Sequence, residues 1–221
     1  MATESIPRDS TTDDVPESGR RREILLAAIN LFRERGYHAT GMTDIGAAVD
    51  LTGPALYRHF ESKEAILETA LLNAARYMEN KVATAIDAGS EPAETLQRLI
   101  ADLVRTVLDY PAVTAIAITE RRHMSDRAKA IYDRSTRLRA AEWVGPLKTL
   151  RPDLTETEAR LRVRCAQDML AASLLTPSQL GSDATGARLE AAARAILLDA
   201  GGRLMPPQWP ADADDDVPLT G

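Results

Sequence analysis

Residues 36–67 read GYHATGMTDIGAAVDLTGPALYRHFESKEAIL. Two short apolar segments, 42–49 and 54–60, are separated by the four residues 50–53. The first is amphipathic. The second can be capped by Thr52 and tolerates Pro54 in its first turn. Two short helices joined by a turn of this length are the pattern of a helix-turn-helix, with Ile45, Val49, Leu51, Leu56 and Phe60 as the buried contacts that fix one helix on the other. Aspartate tolerates the left-handed backbone that such a turn can require, which suits Asp50.

The rest of the chain also reads as helix. Residues 20–35 place Ile24, Leu25, Ala28, Leu31 and Phe32 on one stripe, and Gly36 stands where a C′ glycine would stop the helix. Ser62 caps a long helix with Glu64 in its positive first turn. Its stripe is Ile66, Leu67, Ala70, Leu71, Ala74, Tyr77, Met78, Val82 and Ile86, ended by Gly89. Ser90 and Pro92 open the next helix, which Pro111 stops. A shorter apolar helix over 112–124 and a long one over 126–150, kinked at Pro146, follow. Thr155 and Glu158 form a capping box for a helix over 156–176, and a last helix over 184–200 ends at Gly201 and Gly202. The expected architecture is all-α, with about nine helices: an N-terminal three-helix helix-turn-helix domain over 20–61 and a helical domain over 62–204.

Composition agrees. The chain has 221 residues, 44% apolar and only 4% aromatic, a supply that favours helices over a large sheet. No apolar run is long enough for a transmembrane helix, and the first nineteen residues lack the apolar stretch of a secretory signal. With a single cysteine, Cys165, no internal disulfide is expected, and the cytoplasm is the expected compartment. Residues 1–19 and 205–221 are polar, acidic and Pro-rich and are expected to be disordered, Trp209 being the one residue with apolar mass to dock on the body. The net charge of −6 lies in these ends: residues 1–19 and 211–221 each carry −4, while 20–65 and 66–210 each carry +1. Global acidity therefore does not exclude a nucleic-acid partner.

The helix over 54–60 is built to approach DNA. Gly53, Pro54 and Ala55 let the backbone come close to base edges, and alanine and proline pack on thymine methyls. Threonine, tyrosine, histidine and lysine donate to phosphates without a high net charge. Tyr57 also has a plain core reading. The residues Gly36-Tyr37, Thr40, Ile45-Gly46, Leu56-Tyr57-Arg58-His59-Phe60 and Ser62-Lys63-Glu64 resemble the DNA-binding domain of tetracycline-repressor-family (TetR) transcription regulators over residues 21–67. The resemblance implies Thr43, Gly53, Pro54, Ala55 and Arg58 near base edges and Thr52, Tyr57, His59 and Lys63 at phosphates. The first helix would lie against the DNA backbone, making Arg22, with Arg20 and Arg21, a further phosphate candidate. Two positions depart from the family: Val49-Asp50 stands where Ala-Gly is usual, and Gly46 replaces an alanine, at a helix-propensity cost of about 1 kcal/mol.

Beyond residue 62 the helices carry more apolar surface than one bundle stripe requires. A mostly apolar effector cavity is expected around Leu71, Ala74, Tyr77, Met78, Leu103, Arg105, Val107, His123 and Trp143, with a solid core as the alternative. Arg121, Arg122 and His123 follow an apolar run and suggest an anionic head group, hence an acyl-CoA or fatty-acid-like effector. An aromatic or drug-like one is equally open, and His123 also has a plain surface reading. Leu161, Cys165, Met169, Ala172 and Leu175 fall on one face, and Leu189, Ala193, Ile196 and Leu197 on another. These are expected to form a four-helix homodimer interface, with an internal core face as the alternative. The three histidines and Cys165 lack zinc spacing, and no nucleophile elbow, P-loop or dinucleotide fingerprint stands in a suitable context. No catalytic residue, metal or cofactor is therefore expected. The implied function is a ligand-responsive DNA-binding regulator, most simply a repressor released from a palindromic operator. The alternatives are a constitutive binder without a ligand, or a helical carrier or enzyme. Neither the operator nor the sign of regulation is encoded in these residues.

Overall fold

A computed structural model describes residues 19–88, 91–175 and 181–199. The expected disorder of both ends, the docking of Trp209 and the helix stops at Gly89, Gly201 and Gly202 lie outside the described residues. Among the described residues there are nine α-helices and no strand. They are α1 (Gly19–Arg35), α2 (Met42–Ala48), α3 (Gly53–Tyr57), α4 (Lys63–Asp87), α5 (Pro92–Asp109), α6 (Pro111–Thr119), α7 (Asp126–Leu150), α8 (Glu156–Ala172) and α9 (Ser182–Leu198).

The helix ends follow local chemistry. Gly36 adopts φ +84°, and its N–H closes on the Phe32 carbonyl at 2.9 Å, ending α1. Asp50 takes φ 52° in the turn after α2, the conformation that aspartate accommodates. The Ser62 hydroxyl accepts from the Ala65 N–H at the start of α4, and Thr155 and Glu158 satisfy each other's backbone N–H groups at the start of α8. Thr52 differs. Its carbonyl accepts from Leu56 N–H, but its exposed hydroxyl makes no cap bond.

Four helices end or divide differently from the sequence reading. α3 stops at Tyr57, although His59 and Phe60 still donate back to the Leu56 carbonyl. The segment 112–124 becomes α6 and a 3₁₀ turn, Arg121–His123. α8 tightens into a 3₁₀ turn at Ser173, and α9 ends at Leu198. Arg151 and Arg162 donate to the last α9 carbonyls, including Leu198 and Ile196 respectively, and so satisfy groups that a helix end leaves without partners.

Two apolar clusters build the core. The first joins α1, α2 and α3 to the opening turns of α4 and to Ile116 of α6. It therefore runs without a break across residue 61, where the sequence suggested a domain edge. The second packs Val82, Leu96, Ile100, Trp143, Leu147, Val163 and Leu170 with α9. Ala193 and Leu197 are fully buried in it, and Leu189 and Ile196 pack against it. This corrects the interface expectation for α9: its apolar stripe faces its own protomer.

Gly46 has a packing role that its helix propensity hides. A Cβ there would meet the Leu51 carbonyl oxygen at 2.9 Å, because the Leu51 N–H donates to the Gly46 carbonyl across the turn. Gly46→Ala is therefore expected to destabilise by about 1–2 kcal/mol despite alanine's better propensity. Urea unfolding checks this, and a stabilised variant would contradict the packing argument.

Candidate nucleic-acid interface and adjoining cavity

α3 is anchored from beneath by Leu56, fully buried, and by Phe60 just beyond its end. Its other side faces outward. Tyr57 is 55% exposed and so is not a core tyrosine. Pro54, Arg58, Thr52 and Thr43 are exposed as well, while Gly53, Ala55 and His59 are half-buried. Arg58 makes no hydrogen bond or ion pair among the described residues. A small-residue helix start next to an uncommitted guanidinium suits approach to a base edge.

Other basic residues are already in use. Arg20 donates to the Val49 carbonyl in the turn. Arg21 donates to the His59 carbonyl and stacks over Phe60, 4.1 Å from the ring centroid. Arg22, expected at phosphates, is exposed and also lines the cavity described below. Lys63, also expected at a phosphate, is engaged within its own chain in this structure. Its ammonium donates to the Tyr37 carbonyl at 2.7 Å and the Thr40 carbonyl at 2.9 Å and sits over the Tyr37 ring. It clamps the α1–α2 turn to α4. Thr40 is fully buried in that turn, its hydroxyl donating toward the Gly36 and Leu31 carbonyls.

His123 lies at the same junction, not in a ligand pocket. It stacks on Tyr37 with centroids 4.6 Å apart and meets His38 edge-on at 4.4 Å. Burial holds its pKa below the ordinary histidine value, and His38 adds to that, against the opposing pull of Glu120. Arg122 Nε–H donates to its Nε2, which needs the neutral ring. Arg121 pairs with Asp133. The basic 121–123 turn is thus spent on local contacts.

The cavity lies further along α4, between α1 and α4–α8, with a volume of about 540 Å³. Ala74, Tyr77, Met78, Leu103, Val107 and Trp143 line it, as do Leu25, Ile29, Val113 and Tyr132. Leu71 and Arg105 do not: Leu71 is fully buried in the first core cluster, and Arg105 is on the exposed side of α5. Reasoning from sequence missed Arg139, which lines the cavity. A signal for it existed, since Tyr132, Thr136, Arg139 and Trp143 repeat at spacings of four, three and four along one face of α7. Burial lowers the Arg139 pKa from its ordinary value, with Tyr132 and Glu79 opposing.

On α8 the inward face is Ala159, Val163, Ala166 and Leu170. Leu161 is 60% exposed, Cys165, Ala172 and Leu175 are exposed, and Met169 is half-buried. α9 turns outward a row of small residues, Ala184, Ala187, Ala191 and Ala195, with Leu198. No described helix is long and apolar enough to cross a membrane.

Residues 24–70 match the family described as bacterial regulatory proteins, tetR family. The HTH-type transcriptional repressor KstR2 of Rhodococcus jostii is 30% identical over 144 residues, 64% of this chain and 69% of that protein. The HTH-type transcriptional activator FasR of Mycolicibacterium smegmatis is 38% identical over 85 residues, 38% of this chain and 37% of that protein. Among solved structures, AibR in complex with isovaleryl coenzyme A and operator DNA superposes with a TM-score of 0.68 at 18% identity, covering 81% of this chain and 98% of that one.

Proposed function

This chain belongs to the TetR family of bacterial transcriptional regulators, and on that premise we propose how its parts share the work. Residues 20–61 read DNA, and residues 62–204 bind an effector and dimerise. The outward side of residues 53–60, with Pro54, Tyr57 and Arg58 free above buried Leu56 and Phe60, carries this reading. Two copies place these segments in successive major grooves of a pseudo-palindromic operator, with half-sites about 34–36 Å apart. The copies meet through the outer faces of α8 and α9. Its relatives are transcriptional regulators, and we assign it no enzymatic step. We place it in the cytoplasm, where its operator is.

The effector is a small, largely apolar or amphipathic molecule, of acyl-CoA or fatty-acid type or aromatic. The cavity volume supports this, as does the isovaleryl coenzyme A held by AibR. α4, capped by Ser62, follows directly after the reading segment, and its first turns share a core with α1 and α3, while Ala74 and Met78 touch the cavity. A molecule wedged there tilts α4 and carries the reading segment with it. Release requires the effector to prefer the low-affinity state, and a swing from 1:99 to 99:1 needs about 5.5 kcal/mol of difference.

Fluorescence anisotropy against selected palindromes tests the DNA reading. Arg58→Ala is expected to weaken operator binding by about 1–3 kcal/mol and to relax preference at one base position. Tyr57→Phe is expected to weaken all sequences alike. Absence of binding to any palindrome at low salt overturns the reading.

A further inference from the structure

Within that effector reading, one group in the cavity narrows the ligand's chemistry. Arg139 projects from the middle of α7 onto the cavity wall, one turn from Trp143. Its Nη1 donates to the Ala75 carbonyl at 2.8 Å and the Ser135 hydroxyl at 3.3 Å, and its Nη2 donates to the Thr136 hydroxyl at 3.2 Å. All three acceptors are neutral. Among the described residues, Nε–H has no acceptor and no carboxylate forms an ion pair with the guanidinium. Glu79 acts on it only at longer range. The other charged groups of the lining are Arg22, on α1, and Asp168, which pairs with Arg164 at 3.5 Å. A half-buried cation with neutral partners and a spare donor, set among apolar walls, is under-compensated, and an incoming anion completes it.

We propose that Arg139 is the anion-binding group of this cavity and that the effector is an amphiphile carrying one carboxylate, its apolar body lying against Trp143, Met78, Leu103 and Val107. The proposal rests on the ligand-responsive reading above. A carboxylate fits better than a polyphosphate because the lining carries one net positive charge, two arginines against one aspartate, and Arg139 stands one turn from Trp143 on α7. The geometry also links the site to the DNA-binding end. The same guanidinium holds the Ala75 carbonyl on α4, so a carboxylate that draws it into the cavity competes with the α7–α4 tie.

The test is isothermal titration of the full-length protein and of Arg139→Gln with dodecanoic acid, dodecanol and dodecanoyl-CoA. Wild type is expected to bind the acid about 10- to 100-fold more tightly than the alcohol, the range for a hydrogen bond to a charged group. Arg139→Gln is expected to lose that preference while its affinity for the alcohol stays within threefold, which also shows the cavity to be intact. Equal affinities for acid and alcohol in wild type, or a preference kept in Arg139→Gln, overturn the proposal and leave the effector reading standing. CoA thioester binding at least tenfold tighter than the acid also overturns it, by moving the anion contact elsewhere. If no amphiphile binds and operator affinity ignores all three, both the proposal and the effector reading fall.

Discussion

Ala172→Arg is expected to turn the dimer into a monomer and to lower operator affinity by at least about 100-fold. The two faces of α8 are the reason. Ala159, Val163, Ala166 and Leu170 are buried in the protomer, which leaves Leu161, Cys165 and Ala172 outward and exposed among the described residues. α9 presents a row of alanines ending in Leu198. Small outward residues let helices from two copies approach closely and interdigitate, and an interface of about 1,600 Å² or more follows if both helices take part. An arginine at position 172 puts a long, hydrated cation where close packing is required, and its bulk and desolvation oppose that packing even with Asp168 one turn away. The DNA effect is larger than the local one because the second half-site is bound at the effective concentration that the dimer supplies, a gain of about 10²–10⁴. Light scattering at micromolar concentration, with Ala172→Ser as the control for a small polar change, measures the first part, and operator titration the second. A monomeric wild type would remove the premise. A dimeric Ala172→Arg would move the interface off this face.

Much of this molecule is written locally. Gly36, Asp50, Ser62 and the Thr155–Glu158 pair each state a helix boundary through chemistry within a few residues, and the structure uses all four as stated. The buried face of α1 follows from spacing alone. What was not legible depends on distant partners. The stripe of Ala193 and Leu197 is evident in sequence, but spacing does not say whether its cover is another copy or the protomer's own core, and alanine on the opposite face blurs the distinction. His123 reads as a cavity group because it follows an apolar run. Its fate is set by Tyr37 and His38, more than eighty residues earlier in the chain. Propensity alone gives Gly46 the wrong sign, since its neighbour is a carbonyl five residues on that only the turn brings near. Over residues 53–60 the buried Leu56 and Phe60 were legible, but the outward set was only partly so: Pro54, Tyr57 and Arg58 are exposed, while Gly53, Ala55 and His59 are half-buried against their neighbours.

Lys63 decides between two accounts of a basic residue beside DNA, and Lys63→Met is expected to separate them. By residue type it belongs at a phosphate. By geometry its ammonium is held by the Tyr37 and Thr40 carbonyls and the Tyr37 ring, 26 and 23 residues away in sequence from the two carbonyls. Removing it leaves the carbonyls of two buried residues without their charged donor and one ring without its cation. Without those two hydrogen bonds and the cation over the ring, the protein is expected to be less stable by about 2–4 kcal/mol. Operator affinity falls too, because the loosened α1–α2 turn sets the start of α2 and so the seat of α3. The salt dependence of binding tells a clamp from a phosphate partner. Deleting a cation that neutralises one phosphate lowers the slope of log K against log salt by about 0.9, whereas deleting a clamp that only orders the domain leaves it unchanged. Urea unfolding and an operator titration at several salt concentrations, on wild type and Lys63→Met, give both numbers. Lower stability with an unchanged slope is the expected result. Unchanged stability with a slope reduced by about one would return Lys63 to the DNA backbone, and the Tyr37–Thr40 turn would then have to be held by Thr40's own buried hydrogen bonds.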